Sequence, residues 1–253
     1  MLARTATTVV AAAVGVALLS GSDEPSTAHG SARWQPVAAP PLVPRAHALG
    51  VAVGHRVLVL GGGRPGTPWS REGAAYDLRT GIWHAFSLPV PVDDRDTAAV
   101  AAGTVVLRLP GTGSPATWWR YAVRQDAWTL VRGVPAGARA PSAFGSEVYA
   151  VSGLRVVVYS IQLGRWTWLP PDRLRPALVG RRVTASRAGT VVTGHLRGGQ
   201  GREVEDRWNG LRWHRSSVPH PTPTPSSPGA GVWVTSEGRT LVVRGDRAWI
   251  RLP

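Results

Sequence analysis

The chain has 253 residues, a formal charge of +14 from 29 arginines against 15 acidic residues, and no cysteine. The missing thiol excludes disulfides, thiolate metal sites, a cysteine nucleophile and any cysteine-anchored lipid. The length allows a single domain with a sizeable core, and the positive field favours polyanionic partners such as envelope polymers, anionic lipid surfaces, acidic glycans or nucleic acid.

Arg4 supplies a positive start, and residues 8–19 form a small-residue apolar run of about the length a signal peptide uses, too short for a confident membrane span. Residues 1–28 read as a signal peptide or uncleaved leader, 29–33 as a short linker, and 34–253 as the folded domain. Leu19-Ser20-Gly21-Ser22 resembles a bacterial lipobox whose modified cysteine has become serine. A secreted or extracytoplasmic protein is expected, released or held by its leader, and not a lipoprotein.

Beyond the leader, the first unit runs from Arg45 through Gly50-Val-Ala-Val-Gly54, Arg56-Val-Leu-Val-Leu60-Gly61-Gly62-Gly63 and Ala74-Ala-Tyr76-Asp77 to Ile82-Trp83. Its short alternating or β-branched runs, bounded by Gly, Pro, Asp and Thr, predict four antiparallel strands. Gly61 and Gly62 let the second strand bend away where a Cβ would clash, and residues 77–81 form the hairpin to the fourth strand. Tyr76 and Trp83 are placed to fill the space between neighbouring sheets.

The pattern returns as Tyr121…Trp128, Tyr159…Trp166 and Trp208…Trp213. Trp34, Trp83, Trp128, Trp166 and Trp213 follow one another at intervals of 49, 45, 38 and 47 residues, close to the repeat lengths of propellers. Three runs at the C-terminus, within residues 231–252, make three strands, with Asp246-Arg247 aligning with the third strand that carries Asp206-Arg207. The strand at Trp34 supplies the missing fourth, which removes an exposed sheet edge.

This unit resembles a kelch blade, whose pattern is an arginine in the lead-in loop, a hydrophobic strand ending in paired glycines, and a later Tyr and Trp separated by a turn. The resemblance implies an all-β fold, a single β-propeller of kelch-like four-stranded blades; the five tryptophan-marked outer strands make it five blades, fewer than the six or seven common among kelch proteins, closed by the N-terminal strand around Trp34 pairing with the C-terminal blade. Six blades is the competing count.

Loops on a rigid scaffold carry binding, and the resemblance puts the lead-in loop and the loop between second and third strands on one face. Arg45, Arg95 and Arg139 recur 11 or 12 residues after a repeat tryptophan, and Arg175 follows Trp166 by 9. They form either a guanidinium ring that grips carboxylate, phosphate or sulfate, or scaffold residues bonding loop carbonyls. Arg64, Trp69, Arg71, Trp118, His195, Arg197 and Arg202 extend the candidate ligand face, because arginine beside an aromatic suits a sugar, an anionic sugar or a peptide carboxylate. Trp118 adjoins Trp119, so one of the two points inward by alternation.

The expected function is therefore an exported, non-catalytic binding propeller for a protein, an anionic glycan or an envelope polymer. An extracellular carbohydrate-active enzyme of the same fold is the alternative. A galactose-oxidase-like copper site needs a cysteine this chain lacks, no HxH or HExxH spacing supports zinc, and the Asp-box repeats of sialidases do not occur. Asp93-Asp94-Arg95-Asp96 reads as a solvated turn ahead of an acid/base or calcium loop. No cofactor, no nucleic-acid partner and a monomer are expected.

Overall fold

A computed structural model describes residues 16–17, 34–64, 66–92, 98–109, 116–173, 178–197, 203–215, 231–236, 239–244 and 247–251. In chain order, two short strands come first, β1 (Val16–Ala17) and β2 (Trp34–Val37). Sheet I follows as β3 (Leu49–Val53), β4 (Arg56–Leu60), β5 (Glu72–Asp77) and β6 (Trp83–Ser87). Sheet II is β7 (Ala98–Ala101), β8 (Val105–Leu109), β9 (Thr117–Ala122) and β10 (Ala127–Leu130). Sheet III is β11 (Arg139–Phe144), β12 (Glu147–Ser152), β13 (Arg155–Ser160) and β14 (Arg165–Trp168).

Sheet IV is β15 (Leu178–Ser186), β16 (Gly189–Leu196), β17 (Glu203–Trp208) and β18 (Trp213–Arg215). Sheet V contains β19 (Gly231–Ser236), β20 (Arg239–Arg244) and β21 (Arg247–Arg251). The described residues contain no helix, and sheets I to IV are each a four-stranded antiparallel meander. In sheet V the order is β1, β19, β20, β21, β2, so a strand from before sheet I lies beside the last strand of the chain. Trp34 faces Arg251 and Val37 faces Ala248 in that pairing. An all-β arrangement of repeated four-stranded sheets is consistent with the β-propeller class.

The burial of each strand follows its place in the sheet. Every residue of β4 after Arg56 is buried, because the strand has a neighbouring sheet on both faces. The last strands β6, β10 and β14 are mostly exposed and bury no residue completely, as edge strands do. First strands of successive sheets touch, β19 with β3, β3 with β7, β7 with β11, and β11 with β15.

Four hydrophobic clusters fill the spaces between these sheets, one each for V with I, I with II, II with III, and III with IV. A repeated aromatic pair stands in each. Tyr76 lies directly across from Trp83, Tyr121 from Trp128, Tyr159 from Trp166 and Trp208 from Trp213. Their ring centroids are 5.0, 4.8, 5.1 and 5.5 Å apart, within the favourable range for tilted aromatic contacts. Trp83 also donates its Nε1–H to Ala38 O at 2.7 Å, and Trp213 donates to Pro170 O at 2.7 Å. Each acceptor lies four residues after the tryptophan of the preceding unit, so the repeat register doubles as a lateral bond between units.

Arginine reinforces the same junctions. Arg56 donates to Val123 O at 3.0 Å and Arg120 to Ile161 O at 3.4 Å, each carbonyl lying two residues past the tyrosine of the next sheet. The paired glycines behave as their sequence requires. Gly61 and Gly62 have φ of 63° and 81°, and a Cβ on Gly61 would lie 2.2 Å from Val92 O. The Gly62 N–H bonds that same carbonyl at 2.7 Å, so the bend ties sheet I to the segment leading into sheet II.

Replacing Gly61 with alanine should therefore cost about 2–4 kcal/mol, because backbone strain and a backbone clash coincide. Gly54→Ala, with φ of 56° but open space around its Cβ, should lose only about 1 kcal/mol. Urea denaturation of both variants checks the ranking, and equal losses would remove the clash as the cause.

Candidate functional site

The isolated bridge between Ala46 and Gly63 draws the lead-in loop of sheet I against the loop joining β4 to β5. Between them lies a shallow cleft of about 230 Å³, lined by Val43, Arg45, Arg64, Thr67, Ser70 and Glu72, with Gly63 and Pro68 as its backbone floor. Thr67 Oγ1 accepts the Arg64 N–H at 3.1 Å and donates to Arg64 O at 2.9 Å, which closes the loop into a tight turn. Trp69 packs over Gly63, where a Cβ would approach its ring to 2.9 Å, and meets His47 edge-on at 5.7 Å.

Arg45 is the organiser of this cleft. Its side chain is 5% exposed, and it donates to Val43 O at 3.0 Å, Gly61 O at 3.1 Å and Glu72 Oε2 at 2.6 Å. The hydrogen bond from Arg45 holds the Glu72 carboxyl below its ordinary pKa; slight burial opposes this, and the Arg45 charge and Ser70 hydroxyl reinforce it. Because Glu72 is largely exposed, this pair adds little stability. Its effect is positional, fixing a carboxylate and two hydroxyls around a small opening.

The geometry separates the candidate residues. Arg45 and Arg64 line the cleft and Trp69, half-buried, packs over its Gly63, while Arg71, exposed, is not among the lining residues. Arg139 is exposed at the head of β11, and His195 and Arg197 are exposed at the end of β16, on other sheets. Arg95, Arg175 and Arg202, with Asp93, Asp94 and Asp96, lie outside the described residues. Trp118 is completely buried and packs edge-on against Trp166 at 5.3 Å. Alternation along β9 sends Trp118 toward sheet III and Trp119 toward sheet I, so Trp118 fills a junction between sheets and offers no face to a ligand.

The lead-in spacing does not yield equivalent environments either, since Arg45 is buried and hydrogen-bonded whereas Arg139 is exposed. Sheet IV buries a different arginine, Arg181, which holds both oxygens of Asp172. Asp206 is fully buried beside this pair, with Oδ2 accepting the Arg173 N–H at 2.9 Å. Burial raises the Asp206 pKa and the Asp172 charge adds to it, against the opposing Arg173 N–H and the Arg173 and Arg215 charges. Neither Arg181 nor Asp206 stands out in the sequence, because each occupies a position where alternation alone assigns a side and nothing signals a buried ion pair.

Asp77 presents the opposite case. Burial pushes its carboxyl up, but the Arg79 and Thr80 N–H bonds at 2.8 and 3.2 Å, together with the His55 and Arg56 charges, outweigh this and lower its pKa. Asp77 lies in the hairpin turn and Asp172 between sheets III and IV, and among the described residues Glu72 is the one acidic side chain lining the cleft.

Linkage gives these carboxyls opposite signs. With its pKa raised in the folded state, Asp206 contributes stability below the unfolded pKa and loses it as pH rises through the folded value. Asp77, with its pKa lowered, contributes above the unfolded value and loses it as pH falls. Asp206→Asn should therefore gain stability relative to wild type between about pH 4 and pH 7, and Asp77→Asn should lose it. Urea midpoints at both pH values test this, and offsets independent of pH would contradict it.

No family model matches the sequence, and neither does any curated protein. Among solved structures, that of YjhT is similar to this chain at 14% identity, over 81% of this chain and 73% of that one, with a TM-score of 0.48.

Proposed function

We propose that this chain is an exported, kelch-like propeller of five blades that binds an acidic glycan or envelope polymer at the cleft of sheet I, without transforming it. The blade count is supported by five successive sheets and by the pairing of β2 with β21, which gives sheet V its outer strand. Closure would then place sheet V against sheet IV and leave no inner edge open. The leader pattern in residues 1–28 supports export.

The observation that carries the binding reading is the cleft itself. Arg64 is exposed in its lining with Thr67, Ser70 and Glu72, and the half-buried ring of Trp69 packs over the Gly63 that lines it. Guanidinium groups suit a carboxylate or sulfate, an indole edge or face suits the apolar side of a sugar ring, and the hydroxyls and carboxylate suit sugar hydroxyls. Arg45, whose donors are committed to Val43, Gly61 and Glu72, acts as a positioning residue for this set.

Arg64→Glu should weaken binding of a uronic-acid oligosaccharide by roughly tenfold, the worth of one charge-assisted contact, with thermal stability unchanged. Arg45→Ala should instead lower the melting temperature. Titration calorimetry with acidic and neutral oligosaccharides measures the first effect. Equal affinity for both sugars, or release of new reducing ends from either, would overturn the proposal.

A further inference from the structure

The three most exposed large apolar side chains among the described residues are Leu211, Leu163 and Ile82, at 86, 65 and 54%. All three lie in the turn that joins the third strand of a sheet to its fourth, in sheets IV, III and I. Strand order fixes where these turns are. In an antiparallel meander the first and third turns share one end, and the second turn and the link to the next sheet share the other. The cleft lies at that other end, so the aliphatic tips are on the far side of the molecule from it.

Cross-sheet bonds bring these turn ends side by side. Arg56 reaches Val123 O in the turn of sheet II, Arg120 reaches Ile161 O in that of sheet III, and the Ala185 N–H reaches Ser142 Oγ between sheets IV and III. Exposed arginines flank the tips, with Arg79 near Ile82, Arg165 near Leu163, Arg212 beside Leu211, and Arg124 and Arg187 in neighbouring turns. Among the described residues, three acidic groups at this end are engaged in hydrogen bonds. Asp77 is held by turn N–H groups, Asp126 accepts from Tyr121 Oη at 2.5 Å, and Glu147 accepts from Tyr149 Oη at 2.5 Å.

We infer that this turn end is a docking face for an anionic lipid surface, with Ile82, Leu163 and Leu211 entering the interfacial layer and the arginines meeting the headgroups. Separate convex tips on different sheets offer no groove for a helix or strand. A deformable, apolar-cored and negatively charged surface accommodates all of them at once. Isolated exposed aliphatic residues need no explanation, but the three most exposed large ones among the described residues, at one end and each beside an exposed arginine, form a pattern. Docking this way leaves the cleft facing away from the membrane, and the inference stands independently of what the cleft binds.

The absence of cysteine makes the test direct. Leu163→Cys, Leu211→Cys and, at the cleft end, Thr67→Cys are each prepared in the full chain and labelled with an environment-sensitive fluorophore. They are then mixed with vesicles of equal phosphatidylglycerol and phosphatidylcholine, or of phosphatidylcholine alone. The expected result is a blue shift and quenching by nitroxide lipids at positions 163 and 211 but not 67. Partitioning should be at least roughly tenfold weaker on neutral vesicles or in high salt. An Arg79→Glu/Arg165→Glu/Arg212→Glu variant with unchanged circular dichroism should lose binding to the same degree. Because residues 1–33 are common to every variant, attachment through them alone would leave the turn probes as wet as position 67. That result, or equal partitioning on both vesicle types, would overturn the proposal and leave the face to a protein partner.

Discussion

The aromatic pair that spans the third and fourth strands is the contact on which the rest of this molecule depends. One repeated sheet cannot bury its apolar faces alone, and here each sheet gains its core from the sheet before it. Tyr76, Tyr121 and Tyr159 each lie in a cluster shared with the preceding sheet, and the tryptophan across from each closes the outer side of that cluster. Because the ring partners are in direct register, a slip of one residue would turn every aromatic outward. The pair therefore sets strand register and sheet stacking together. The indole N–H bonds from Trp83 and Trp213 then tie successive units at a fixed offset.

Arginine does three different jobs in this chain. Arg56 and Arg120 donate to carbonyls of the next sheet and act as lateral ties, as Arg45 holds Val43 O, Gly61 O and Glu72 at sheet I. Arg181 is buried in a bidentate pair with Asp172, an arrangement that favours a specific geometry over net stability. The exposed arginines at the cleft and on the turns remain to shape the field around the protein. A charge of +14 is thus an overestimate of what a ligand meets, since part of it is consumed inside the fold.

The two ends of the sheets differ for a topological reason. Loops between second and third strands, and the links between sheets, have variable length and collect at one end, where Gly61, Gly62 and the Ala46–Gly63 bridge shape a cleft. The opposite end carries tight turns with left-handed residues such as Gly81, Asp126, Gly164 and Gly210. Short turns cannot fold back over their own tips, so whatever side chain stands there is presented to the surroundings. One end thus makes a concavity, with Val43 and Leu154 also exposed there, and the other presents Ile82, Leu163 and Leu211 beside guanidinium groups.

Local pattern was enough to place the strands, because alternation and turn chemistry act within a few residues. The Tyr and Trp register was legible for the same reason, as was the need for glycine at positions 61 and 62. The pairing of the strand at Trp34 with the end of the chain followed from counting three runs where four are needed. Side-chain environment was decided only by the assembled structure. Arg45 and Arg139 share a spacing but not a fate, since one meets Gly61 O and Glu72 and the other meets solvent. Trp118 reads as a loop aromatic until sheet III covers it, and Asp206 becomes a protonation-sensitive group only when Asp172 and Arg173 are brought beside it. Those neighbours are distant in sequence, and burial and field at a side chain are set by whatever packs against it in space.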